Sequence, residues 1–103
     1  MNQPTFAEGP PVPMMVEGAI DAATLRHLFD DLASVATILS IREKGHACNY
    51  AEAQVLTPTV ALERLLARSV PAIQIRYRYD GFEWTDTILA TRDAFRVVRC
   101  RHD

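Results

Sequence analysis

The sequence predicts a small α+β domain in which an N-terminal amphipathic helix and a short second helix pack on an antiparallel sheet ending in a three-stranded β-meander. Three observations carry this prediction. Apolar residues recur at three- and four-residue steps from Ala22, Thr57-Pro58 opens a second apolar run, and strict alternation flanks Asp80-Gly81. With 103 residues, 49% apolar and 23% charged, the chain has an average globular composition and enough length for one core.

Four of the six prolines, Pro4, Pro10, Pro11 and Pro13, precede residue 14, so residues 1–16 are expected to form a flexible arm and residues 17–103 a single domain. Residues 14–16 are read as a short edge strand before Gly18. Asp21 then offers an N-cap to a helix whose apolar side is Ala22, Leu25, Leu28, Phe29, Leu32, Val35, Ala36 and Leu39. Arg26, His27, Asp30 and Asp31 make the solvated stripe opposite. Over residues 35–42 two readings compete. The helical period continues, but Val35, Thr37, Ile38 and Ile41 are β-branched and fit a pleated strand better. Glu43, Lys44 and Gly45 form a turn in either case, and residues 46–55 are read as another short strand.

Thr57 caps the second helix and Pro58 takes its first position, where a missing N–H costs nothing. Val60, Leu62, Leu65 and Leu66 form its apolar side, and Pro71 prevents continuation. Residues 72–79 alternate Ala72, Gln74, Arg76 and Arg78 against Ile73, Ile75, Tyr77 and Tyr79. Asp80-Gly81 favours a two-residue type I′ hairpin, which sets Tyr79 opposite Phe82, Arg78 opposite Glu83, Tyr77 opposite Trp84 and Ile73 opposite Ile88. A four-residue loop, Thr91 to Ala94, leads to a third strand over residues 95–101, which this reading leaves as the edge of the meander.

Charge excludes a general polyanion binder: the formal net charge is -2, and the basic excess over residues 71–103 is only six side chains against five acidic ones. Ten arginines accompany the single Lys44, a bias that points to a GC-rich bacterial source. The N-terminus lacks the basic and continuous apolar regions of a secretory signal, and two cysteines are too few for a disulfide framework, so a reducing cytoplasmic location is expected.

A few residues escape this architectural account. The hairpin register puts Asp86 on the inward face with Tyr77 and Trp84, and the following loop sets it opposite Arg99. An unpaired buried carboxylate costs several kcal/mol, so a cross-strand ion pair to Arg99 is expected. The alternative makes Asp86, Arg99, Trp84 and Tyr77 a ligand-binding group. His46-x-Cys48 and Cys100-x-His102 each present two ligands on one side of a strand, so His46, Cys48, Cys100 and His102 form a candidate zinc set if their strands adjoin. The plainer reading is one or two small buried cysteines with surface histidines. Arg76, Arg78 and Arg96 share the polar face with Gln74, Thr85 and Thr87, which invites a nucleic-acid reading, but Tyr77 and Trp84 alternate away and remove the stacking element.

No catalytic signature or phosphate loop accompanies these residues. Cys48 near His46 is the sole local nucleophile-base pairing, and two positions apart on a strand they flank one another without the directed contact a dyad needs. The sequence therefore favours a small cytoplasmic accessory protein that binds another protein or itself, as a homodimer through an edge strand, over an enzyme. Metal binding through the His/Cys pairs and nucleic-acid binding through the arginine-bearing face are the alternatives.

Overall fold

The Asp21 carboxylate accepts a hydrogen bond from the Thr24 N–H at 2.8 Å, and this bond holds its carboxyl below the usual carboxylate range. It starts helix α1 (Ala22–Val35), which follows strand β1 (Met15–Ile20) and buries Leu25, Phe29 and Leu32. At Ala36 the backbone becomes extended, φ -114 and ψ 158, and strand β2 (Thr37–Lys44) begins. The β-branched run therefore overrides the helical period. Val35, one helical step beyond Leu32, is 63% exposed because the helix ends before the core reaches it.

The chain continues through α2 (Pro58–Leu66), β3 (Ala72–Tyr79), β4 (Phe82–Ala90) and β5 (Phe95–His102). This computed structural model describes residues 15–45 and 55–102. The strand expected over residues 46–55 lies outside the described residues except for Val55, which is not in a strand. Thr57 caps α2 through Val60 N–H at 3.2 Å, as its sequence implies. Ala61 and Leu65 are its fully buried residues, whereas Val60, Leu62 and Leu66 are partly buried at the margin of the core.

All five strands form one antiparallel sheet in the order β1-β5-β4-β3-β2. The hairpin register is the expected one, with Tyr77 opposite Trp84 and Ile73 opposite Ile88. Asp80 and Gly81 have φ of 56 and 81, the two positive values a type I′ turn requires. The β4–β5 register likewise sets Asp86 opposite Arg99.

One expectation is corrected. Residues 95–101 do not form an edge, because β1 pairs with β5 along its whole length, from Met15 opposite Cys100 to Ile20 opposite Phe95. Gly18 has no positive φ and carries the strand onward to Ile20, well past residue 16. Among the described residues the edges of the sheet are β1 and β2.

Alternation divides the sheet into two faces. Ile73, Ile75, Tyr77, Asp86, Ile88 and Phe95 are buried on the face that packs on α1 and α2. Neither helix covers the other face, an arrangement open to antiparallel sheets. Arg68, which follows α2 with φ 55, clips the helix end to the β4–β5 loop. Its guanidinium donates to the carbonyls of Thr91 and Ala94 at 3.0 and 3.2 Å and stacks 4.5 Å from the Phe95 ring centre.

Candidate interaction surface

Asp86 is the only buried charged residue among those described, and it is fully enclosed. Arg99 meets it with two parallel bonds, Nε to Oδ1 at 2.9 Å and Nη2 to Oδ2 at 2.8 Å. The Tyr77 hydroxyl donates a third bond to Oδ1 at 2.9 Å. A fork of this kind matches the planar guanidinium to the carboxylate and offsets much of the cost of enclosing the charge. The carboxylate's bond raises the already high pKa of Arg99, and burial, followed by the nearby Asp86 charge, raises that of the Tyr77 phenol.

The structure thus joins three of the four residues singled out around Asp86. Trp84 stands apart: its indole N–H donates to the Tyr79 carbonyl at 3.1 Å, within the hairpin. Tyr77 and Arg99 line a shallow cleft of about 230 Å³ with Tyr79, Leu32 and Val35, but Asp86 does not reach it. Both oxygens of Asp86 are engaged, so the group neutralises itself and acts as an internal tie between β3, β4 and β5. A pH prediction follows from Tyr77. Because the folded protein holds the phenol proton more tightly than the unfolded chain, the stability this group contributes is complete below about pH 10 and is lost as pH rises further. Tyr77→Phe is expected to cost about 1.5–3 kcal/mol at neutral pH, as for a hydrogen bond to a charged group, and to flatten the alkaline fall in stability. Urea titrations at pH 7 and above pH 10 read both effects, and an unchanged alkaline slope would contradict the assignment.

On the face away from the two helices, Arg76 pairs with Glu83 and Arg96 with Glu17. Arg78 is opposite Glu83 in the register, yet Glu83 takes the diagonal Arg76, whose Nε lies 3.0 Å away and whose bond lowers the Glu83 pKa. Arg78 forms no ion pair among the described residues. No Phe, Tyr or Trp lies on this face among the described residues, since Tyr77 and Trp84 point to the helices' side. Cys100 and His102 do share it, and the His102 ring sits 2.7 Å from the Thr85 hydroxyl. His46 and Cys48 lie outside the described residues, and among those described no three His, Cys, Asp or Glu side chains cluster as metal ligands.

The two sheet edges differ sharply. Strand β2 has a register shift between Ile38 and Ser40, carries Arg42 and Lys44, and has its outward Ile41 carbonyl taken by the Leu56 N–H at 2.8 Å. Bulges, cations and a covering segment are the devices by which proteins blunt an edge. Among the described residues strand β1 has none of them: over Met15–Ile20 its single charge is Glu17, which pairs with Arg96. Clefts of about 220 and 440 Å³ lie against it, both lined by Glu17 and Gly18.

The hairpin also fixes which backbone groups this edge presents. In a two-residue turn the flanking residues Tyr79 and Phe82 exchange hydrogen bonds, and bonded and non-bonded pairs then alternate along each strand. The Ala90 N–H bond to the Pro71 carbonyl and the Leu56 bond to Ile41 both agree with that alternation. Followed through β4 and β5, it turns Val16, Gly18 and Ile20 toward β5, and leaves the N–H and C=O of Glu17 and Ala19 pointing outward. Sequence reasoning placed an edge strand at residues 14–16 but stopped it before Gly18, short of the segment that carries these groups. The available signal was Val16 and Ile20, two β-branched residues symmetric about a glycine.

No family model matches the chain, and neither the curated proteins nor the solved structures include a significant match. The described helices include none long and apolar enough to cross a membrane.

Proposed function

We propose that this chain is a small cytoplasmic accessory protein that works by binding a protein partner through strand addition at β1. The contrast between the edges carries the reading: β2 is bulged, charged and capped, whereas β1 offers the outward N–H and C=O groups of Glu17 and Ala19. An added strand satisfies those groups by main-chain hydrogen bonds, and the clefts on either side of β1 receive its alternate side chains. The Asp86, Arg99 and Tyr77 tie supports this role by fixing β5, on which β1 lies.

Ala19→Pro tests the reading, because proline is tolerated on an edge where its missing N–H faces outward. Capture from a lysate of the source cells is expected to lose its specific partner with Ala19→Pro and to keep it with Arg78→Glu on the face away from the two helices. Capture that survives Ala19→Pro but fails with Arg78→Glu would transfer the function to the arginine-bearing face.

A further inference from the structure

We infer that the occupant of the β1 edge is a second copy of this chain, joined about a two-fold axis through Gly18 so that Glu17 of one protomer lies opposite the partner's Ala19. The inference rests on the edge reading above and names its partner. An isologous contact requires an edge that can pair with itself, and the outward backbone groups of Glu17 and Ala19, one on either side of Gly18, meet that need. β-branched residues stand two positions either side of Gly18, and no side chain occupies the centre.

The backbone restricts the register. Outward groups belong to Glu17 and Ala19, so an antiparallel partner must set its own odd-numbered residues opposite them. Three such registers give useful overlap. Centring on Glu17 opposes two carboxylates, and centring on Ala19 sets Glu17 against the partner's Asp21, again like against like. Centring on Gly18 alone avoids both, and it closes two bonded pairs between Glu17 and Ala19. This register also places both helical layers on one side of a continuous sheet. Seated there, each protomer's Ile20 lies beside the other's cleft of about 220 Å³, which is lined by Gly18, Ile20, Thr24, Leu28 and Val97.

Light scattering over a concentration series on the full chain is expected to show a twofold rise in mass. Ala19→Pro should hold the mass at the monomer value while circular dichroism stays unchanged. Ala19→Glu reaches the same end without altering the backbone, because it faces the partner's Glu17 with a like charge at an exposed position. Adding Glu17→Lys to Ala19→Glu should restore the dimer, since each lysine then opposes the partner's introduced glutamate. A monomeric mass at every concentration overturns the second copy, and leaves the edge reading standing if capture still depends on Ala19. A dimer that ignores both Ala19→Pro and Ala19→Glu overturns the inference, and the edge reading falls with it only if capture also ignores Ala19→Pro. A dimer lost with Ala19→Glu but not restored by Glu17→Lys overturns the register.

Discussion

Arg99→Leu is expected to lower the unfolding free energy by about 3–5 kcal/mol, the usual cost of removing one partner from a buried ion pair. The reason is asymmetric burial. Asp86 has no exposed surface, whereas the Arg99 side chain keeps 35% of its own. Without the guanidinium, Asp86 retains a single hydrogen-bond donor, the Tyr77 hydroxyl, and its charge has no counter-ion among its contacts. A domain of this size is stabilised by only about 5–15 kcal/mol, so the loss is a large fraction of the whole. The converse variant, Asp86→Leu, is expected to cost less because Arg99 can turn toward the adjoining cleft and water. The double variant Asp86→Leu/Arg99→Leu should recover most of the Arg99→Leu loss, since buried pairs exchanged for apolar residues are often neutral. Denaturant unfolding of the three variants reads the cycle; equal costs for the two single changes would refute it.

Phe95→Ala is expected to cost about 3–5 kcal/mol, the range for emptying an aromatic site in a packed core. Phe95 is 1% exposed at the start of β5, opposite Ile20 on one side and Ala90 on the other. It is also the ring on which Arg68 stacks while holding the Thr91 and Ala94 carbonyls. The cavity therefore opens where α2, the β4–β5 loop and β1 converge. Phe95→Leu keeps most of the volume and should cost clearly less. A thermal melt that ranks the two variants the other way would show that this corner is not close-packed.

How legible these features were depended on the range over which the physics acts. Asp80-Gly81 fixes a register through two residues' backbone preferences, so Asp86 could be set against Arg99 from local turns alone. The Tyr77 bond was not readable that way: Tyr77 lies opposite Trp84, and its hydroxyl reaches Asp86 only along the diagonal. Diagonal preference also gives Glu83 to Arg76 instead of the directly opposed Arg78. Ala61 was overlooked because a small side chain contributes little to an apolar pattern, yet it is fully buried in the core. Strand β1 was truncated in the reading for a different reason. Its pairing joins residues near the two ends of the chain, and nothing local in a six-residue segment with a glycine announces a partner some eighty positions away.

The capped Ile41 carbonyl on β2 has a bearing on stoichiometry. A sheet with two open margins is a monomer for polymerisation, since each addition exposes a fresh site for the next. Here one margin is blunted by the Leu56 bond to Ile41, a register shift and two cations, which favours sheet growth at the other margin. A pair joined through β1 would present only the two blunted margins outward, which favours a closed pair over extension into a fibre.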